Sequence, residues 1–509
     1  MADSRVKNSK RNLVSGLIHQ VTNICLPFAI KTIILYVLGA QYQGLNGLFS
    51  SILQILNLTD LGFSSAVVYI LYKPIAEEDN ETVCAIIAYL KKIYRYVGMA
   101  MVALGLVLCP FLPLLINGGY PNDINIYILF LIYLLNTAVS YWLFAYKSAL
   151  LTAMQRADIV NNVSTITRTI LHVIQIVLLL LFRNYYIYIC VLPVLTIANN
   201  LLLEYASRKY FPAVLPKGMI PPDTKKDLIK QVKGIFIERI GDVARNGADN
   251  IVLSALIGLT AVAIYNNYYY IYSALYGISL VISKALAASI GNSIAMETKE
   301  KNYKDLCKFT FIYSWFTGWG TVCLCCLYQP FMIIWMRGNE GLLLPDYDML
   351  LFALYFYVIT MNNIRNQYLT GAGLYWELRF WYVLEAIGNI VLNIVLGYFF
   401  GITGIIVATL ITIFVFNFIV RCNVLFRCYF KFSPKSFYKQ HTVYALAMIV
   451  GSAITYFITS LVPFAGFIWL FIKAAICMIV PNALFFLLYH KSQLFHETII
   501  FLKSASRRL

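Results

Sequence analysis

The sequence predicts an all-α polytopic membrane protein of about fourteen transmembrane helices, arranged as two six-helix lobes in parallel repeat plus a C-terminal helix pair. Three observations predict it. First, 60% of the 509 residues are hydrophobic and only 12% are charged, with a mean hydropathy of +0.73, whereas a soluble globular chain carries roughly 25% charged residues. Second, apolar runs of roughly 20 residues recur from end to end, each long enough to cross about 30 Å of hydrocarbon. Third, segments of the first half return in the second at a constant offset.

In chain order, spans one to four occupy residues 12–38, 45–72, 94–116 and 124–146. Spans five to eight occupy 158–182, 185–206, 232–257 and 262–290. Spans nine to twelve occupy 308–335, 347–370, 379–400 and 403–425, and the final pair 441–462 and 465–489. The chain opens on a polar stretch, and the first apolar run is too long for the core of a signal peptide and has no small-residue cleavage site after it. Span one is therefore expected to stay as an anchor.

Loop charges give the orientation. Arg5, Lys7, Lys10 and Arg11 precede span one, and Lys73, Lys91 and Lys92 follow span two. Lys147 and Arg156 follow span four, a basic run from Arg208 to Lys233 separates spans six and seven, and Lys299 to Lys308 follow span eight. Arg379 follows span ten, Arg421, Arg427, Lys431, Lys435 and Lys439 surround the turn after span twelve, and Lys491, Lys503, Arg507 and Arg508 close the chain, whereas the opposite loops hold only Arg183 and Arg337. Roughly thirty cations on one side against two on the other place both termini in the cytoplasm. The same asymmetry explains the net charge of +17, so no nucleic-acid partner is expected.

The repeat is visible in three pairs. ILYVLGAQYQGLNGLFSSIL (34–53) aligns with IVLSALIGLTAVAIYNNYYYIYSAL (251–275), CPFLPLLI (109–116) with QPFMIIWM (329–336), and SALLTAMQ (148–155) with NQYLTGAG (366–373). An offset of about 220 residues in each pair indicates six spans repeated in parallel. The expected organisation is an N-lobe at 1–215, a cytoplasmic interlobe linker at 216–233, a C-lobe at 234–431, and a terminal pair with its tail at 432–509. The linker sequence PPDTKKDLIKQVK is basic and amphipathic, suited to the lipid surface.

Polar residues inside spans fall on single helical faces. Span one carries Gln20, Asn23, Pro27 and Lys31 at helical spacing. Pro27 also frees a backbone carbonyl one turn earlier. Span two carries Gly47, Ser50, Gln54, Asn57, Asp60 and Ser64. Span seven carries Glu238, Asp242, Arg245 and Asp249, flanked by Arg239 and Asn246, and span eight carries Asn266, Tyr269, Ser273, Tyr276, Ser283 and Lys284. Spans one and seven, and two and eight, are equivalent in the repeat, so the stripes are expected to line a cavity between lobes. Some charges of span seven can neutralise one another along the helix. Lys31, Arg168 and Lys284 have no acidic residue within one turn of their own helix, which suits a site for an anion. His19 and His172 belong to no cluster and read as packing residues, and Lys147 and Arg365, matched in the repeat, read as cytoplasmic-edge cations. The abundant Tyr and Phe read mostly as interfacial belts and lipid contacts. Most of the 11 cysteines lie in apolar runs, and Cys323, Cys325 and Cys326 read as buried thiols with no metal-ligand spacing beside them. No metal or cofactor is expected.

The early region carries Leu38-Gly39, then Tyr42-Gln43-Gly44-Leu45, then Asp60-Leu61-Gly62, then the acidic loop Ala76-Glu77-Glu78-Asp79. With the two-lobed architecture, this pattern resembles the multidrug/oligosaccharidyl-lipid/polysaccharide flippase superfamily, in its Wzx-type polysaccharide-transporter branch of O-antigen and capsule synthesis. The resemblance implies a flippase in the bacterial inner membrane, not an enzyme. It implies transfer of undecaprenyl-diphosphate-linked oligosaccharide repeat units from the cytoplasmic to the outer leaflet by alternating access. Polysaccharide polymerase and chain-length proteins are the implied protein partners. On that reading Lys31, Arg168, Arg239, Arg245 and Lys284 are candidates for the diphosphate, and Gln54, Asn57, Asn266 and Tyr269 for the sugars. Asp60, Glu238, Asp242 and Asp249 are candidates to couple transport to a proton or sodium ion. Membrane potential is a further driver, at about 2.3 kcal/mol per charge per 100 mV.

Rival readings share much of this. A multidrug exporter of the superfamily often carries cations and calls for an acidic cavity, against which the lysines argue. A lipid II flippase shares the architecture and a cationic cavity. A polysaccharide polymerase or ligase needs catalytic groups in a sizeable external loop, yet the longest, around 337–347, offers only Arg337, Glu340, Asp346 and the adjacent Asp348. An assembly scaffold would leave the buried polar stripes as a cost without a use.

Overall fold

The chain folds into helices only, with no strand among the described residues. A computed structural model describes residues 2–57, 63–463 and 466–506. Within these helices the side chains of 2–10, 13, 65, 234, 235, 237–240, 242, 244–246, 285, 288, 502 and 504–506 are outside the description. Two compact units result, Met1–Ala263 and Ile264–Leu509.

Unit one begins with α1 (Ala2–Val37), which runs through Pro27 without ending. Gly39, at φ 107°, turns the chain into α2 (Ala40–Leu56), a conformation that only glycine adopts readily. Leu45, Leu48, Phe49 and Ile52 recur along α2 at i, i+3, i+4 and i+7, and all are buried. Phe49 meets Phe130 and Tyr133 edge-on, with centroids 5.5 and 5.7 Å away. After α3 (Phe63–Ala76), α4 (Asn80–Leu108) starts where Asp79 caps the Thr82 amide at 2.9 Å. Its end tightens into a 3₁₀ segment at Cys109–Leu115. Next come α5 (Ile126–Trp142), capped by Asn125, and α6 (Tyr146–Ala153), bent from α5 by 46°. Then α7 (Ala157–Phe182) and α8 (Tyr185–Tyr210) form an antiparallel pair, turned at Arg183 in the left-handed region and capped by Asn184.

The linker has no separate helix. α9 (Pro222–Leu256) starts with proline in its first turn and continues unbroken through span seven. It packs within unit one against α2, where Asn250 donates to Ser51 Oγ at 2.8 Å. Gly44 of the Tyr-x-Gly-Leu motif lies against the Leu259 carbonyl, at the start of α10 (Leu259–Met296), so close that a Cβ would collide with it.

Unit two takes the rest of α10, then α11 (Lys299–Trp335), capped by Thr298. α12 (Asp346–Met361) breaks at Asn362 into α13 (Asn363–Gly371), as α5 breaks into α6. α14 (Tyr375–Thr412) turns at Gly401, φ 60° and ψ −133°. Asn389 donates to Thr409 and Thr412 across that turn, so the two arms are antiparallel. The second arm continues through π-helical turns at Ile413–Val420, α15 (Arg421–Leu425), and further π-helical turns at Phe426–Phe430. α16 (Lys435–Ser460) and α17 (Phe467–Tyr489) pack on α11, where Trp315 donates to Asn482 at 2.7 Å and Trp319 to the Cys477 carbonyl at 3.0 Å. α18 (Gln493–Ser506) ends the described chain. Cys325 and Cys326 are buried thiols, and Val322, Cys326 and Cys477 pack together.

Among the described residues, ten helices are long and apolar enough to cross a membrane, or eleven counting the bent α5–α6 pair as one. The expected fourteen exceed this for physical reasons. The 56-residue stretch Tyr375–Phe430 contains two spans folded back at Gly401. Span two is divided between α2 and α3, and span seven carries Glu238, Arg239, Asp242, Arg245 and Asp249, too much charge for a hydropathy criterion.

Candidate functional site

Among the described residues of unit one, polar side chains pair along the seam between α1 and α7. Its cytoplasm-proximal rung, on the expected orientation, is the ion pair of Arg11 with Asp158 at 2.8 Å. Beside it Asn12 accepts from the Asp158 amide at 2.8 Å and donates to the Gln155 carbonyl at 3.1 Å. One turn on, Asn161 donates to Ser15 Oγ at 3.4 Å. Next, His19 Nδ1 lies 3.0 Å from Thr165 Oγ1. Finally Arg168 Nη1 donates to Asn23 Oδ1 at 2.7 Å. Residues 12, 15, 19 and 23 share one face of α1, and 158, 161, 165 and 168 one face of α7. Inside a membrane such pairs satisfy groups that lipid cannot hydrate.

Arg168 also borders a cleft of about 440 Å³ between α5, α7 and α8, together with His172, Thr196, Asn199 and Asn200. The floor is a linked polar chain. Asn200 donates to the Ser140 carbonyl at 3.2 Å, Asn199 to Asn200 at 3.3 Å, and Thr167 to Asn199 at 3.0 Å. Thr196 donates to Asn136 at 2.7 Å. Among the described residues no carboxylate pairs with Arg168. A guanidinium carries five donors, so with Asn23 satisfied it retains capacity for an anion.

The other candidates are placed as follows. Lys31 is partly buried on α1, about two turns beyond Asn23. On α2, Gln54 is exposed, and Asn57 at its C-terminal end accepts from the Tyr141 hydroxyl. Asp249 is buried on α9, next to Asn250. In unit two, Asn266 is partly buried and its Nδ2 lacks a hydrogen-bond partner among the described residues. Tyr269 stands in a tyrosine column on α10, with ring centroids 5.9 Å from Tyr265 and 5.1 Å from Tyr272. Lys284 is exposed. Asp60 lies outside the described residues, and the side chains of Glu238, Arg239, Asp242 and Arg245 lie outside the description.

Several residues have different surroundings from those read in the sequence. His19 is a rung of the seam and His172 borders the cleft, within 3.2 Å of Gln175. Lys147 is 1% exposed rather than at a solvated edge, and pairs with Glu204 at 3.4 Å. Its counterpart Arg365 is also 1% exposed and donates to the Phe418 carbonyl at 3.0 Å and Asn417 Oδ1 at 2.9 Å. Each cation thus ties the short helix after a broken span to the sixth helix of its repeat. Tyr268 and Tyr272 are buried in unit two, so these aromatics are core residues and not an interfacial belt.

Comparison with known proteins gives the lineage. No curated protein matches the sequence. Among solved structures, the chain is similar to the lipid II flippase MurJ in an inward closed conformation, at 17% identity and a TM-score of 0.69, covering 94% of this chain and 98% of that one. It is also similar to an inward-facing multidrug resistance transporter of the MATE family, at 12% identity and TM-score 0.61, over 80% of this chain and 94% of that one. A MATE transporter from Vibrio cholerae follows at 12% identity and TM-score 0.57, over 85% and 100%. At these identities the likeness is one of fold. The profile of the polysaccharide biosynthesis protein family matches residues 9–287, more than half the sequence. The chain therefore belongs to the polysaccharide biosynthesis protein family, and the helices long and apolar enough to cross a membrane make it a multi-pass membrane protein.

Proposed function

We propose that the protein flips undecaprenyl-diphosphate-linked oligosaccharide repeat units from the cytoplasmic to the outer leaflet of a bacterial inner membrane, with both termini cytoplasmic. The observation that carries this reading is Arg168, hydrogen-bonded to Asn23 and bordering a polar cleft, with no described carboxylate to neutralise it. A cation kept within a transmembrane helix is costly unless it serves a pathway, and a diphosphate is an anion that would use it. The family supports a polysaccharide-related cargo. In this reading Lys31, Arg239, Arg245 and Lys284 supply further positive charge to the diphosphate. Gln54, Asn57, Asn266 and Tyr269 contact sugar, and Asp60, Glu238, Asp242 and Asp249 are the coupling carboxylates. Two repeat-related lobes, divided at the 216–233 linker, alternate access by rocking.

The test is leaflet exchange of undecaprenyl-diphosphate-linked oligosaccharide by the purified protein in liposomes, with ion and voltage gradients switched on and off. Protein-dependent exchange is expected, with loss of it in Arg168→Ala. No exchange, alongside efflux of an organic cation, would move the protein to drug export.

A further inference from the structure

The polar cleft of unit one does not end at its polar residues. Leu195 of α8 lines both the cleft and a second, apolar groove of about 560 Å³. That groove is formed by Ile174 and Leu178 of α7 with Ile187, Val191 and Val194 of α8. It follows the two helices from Ile174, six residues beyond Arg168 on α7, towards their turn at Arg183. A cation-bearing polar pocket that shares a wall residue, Leu195, with a hydrocarbon-lined groove is the outline of an amphiphile with one anionic head and one long apolar chain.

Depth decides which amphiphile. Arg168 lies 11 residues after Ala157, the first residue of α7. At 1.5 Å per residue that is about 16 Å along the helix, close to the middle of a ~30 Å hydrocarbon layer. A resident glycerophospholipid keeps its phosphate at the interface, so its headgroup does not reach this cleft. A lipid whose phosphate is being carried across does. On the proposed orientation α7 starts at the cytoplasmic side, so the groove lies beyond the head on the outer half. A lipid entering head-first from the inner leaflet would trail its chain through the inner half. One drawn inwards with its chain ahead of its head keeps the orientation it has in the inner leaflet, and that orientation fits here.

We propose that α7 and α8 form a loading site for the transported polyprenyl lipid, with its phosphate at Arg168 and His172 and its isoprenoid chain in the Ile174–Val194 groove. This inference deepens the proposed function and rests on it for the identity of the lipid.

The test uses the full chain in liposomes with two photoactivatable probes, undecaprenyl diphosphate and phosphatidylglycerol, each with a diazirine in its hydrocarbon. Peptide mapping should place adducts of the polyprenyl probe on 187–195, and Arg168→Ala should lower them about tenfold, as loss of a charge-assisted hydrogen bond does. Val194→Trp, at a position 63% exposed within the groove, should lower both adducts and transport. Val107→Trp on α4, at a position 67% exposed elsewhere, should lower neither. Adducts confined to other helices, or equal labelling by phosphatidylglycerol that ignores Arg168→Ala, would overturn the site. Exchange measured in the same liposomes separates the two readings. Transport by the wild type without adducts on α7 and α8 sinks this site alone. Adducts there without oligosaccharide exchange keep the lipid site and sink the transport reading.

Discussion

Arg421 donates a 2.7 Å hydrogen bond to Glu385, joining the two arms folded at Gly401, with the side chains only 8% and 1% exposed. Arg421 also stacks over Tyr382, its guanidinium 4.6 Å from the ring centre. The pair closes the bottom of a helical hairpin whose other polar fastener is Asn389 with Thr409 and Thr412.

Breaking that pair from one side should be worse than removing it. Glu385→Ala leaves the Arg421 charge enclosed without its carboxylate, at a cost of about 3–5 kcal/mol. Thermal unfolding of the detergent-purified protein should show a large drop for Glu385→Ala. The double variant Glu385→Leu with Arg421→Met should recover most of it. Equal losses in single and double variants would make the contact a packing effect.

Arg168 and Asn23 should separate into a transport role and a support role. Arg168→Ala should lower exchange about tenfold or more at normal protein levels, because a charge-assisted contact to the anion is lost. Asn23→Ala should cost only about 0.6 kcal/mol, close to threefold in rate, as for an intramembrane hydrogen bond. Full exchange by Arg168→Ala would remove the cation from the mechanism.

Gly44 should tolerate no side chain. A Cβ there collides with the Leu259 backbone, which has no rotamer to give, so Gly44→Ala should destabilise by about 1–3 kcal/mol. Gly291 has nothing within 4 Å of its would-be Cβ, and Gly291→Ala should gain about 0.5–1 kcal/mol from helix propensity. Melting temperatures of the two variants should move in opposite directions.

The start of α4 should respond to acid. Hydrogen bonding from Thr82, through its side chain and its amide, holds the Asp79 carboxyl below the usual carboxylate range. Because the folded value is depressed, the cap's stabilisation is present above the unfolded value of about 3.9 and is lost as pH falls through the folded one. Hydrogen exchange at 80–84 should therefore be faster in Asp79→Ala at neutral pH, and the two proteins should converge in strong acid. A difference that persists there would point to something other than the carboxylate.

The 216–233 segment should be reachable only from the cytoplasm. Met219 is 94% exposed. With the exposed Cys25, Cys190 and Cys428 replaced, Met219→Cys should react with an impermeant maleimide only after cells are opened. Labelling of intact cells would invert the topology.

What the sequence made legible follows what depends on neighbours along the chain. The 3–4 spacing put Asn23 on one face of α1 but not against which helix, and the Gly401 turn fell between the expected spans 379–400 and 403–425. His19 was opaque because its partner Thr165 lies 146 residues away. The breaks after α5 and α12 carry no glycine or proline, and the apolar pattern runs through the first of them. Lys147 and Arg365 looked like edge charges because their acceptors, Glu204 and Asn417, come from a distant helix. The tyrosines of α10 have no sequence mark separating a core ring from a lipid-facing one.

Beyond its ion-paired first rung, the α1–α7 seam is fastened by small, separate bonds, one per turn. At about 0.6 kcal/mol for each intramembrane hydrogen bond, those three rungs together hold roughly 2 kcal/mol. The two helices are joined by a zipper rather than a weld, one that thermal motion can undo tooth by tooth while Arg168, at its far end, is the last or the first to let go.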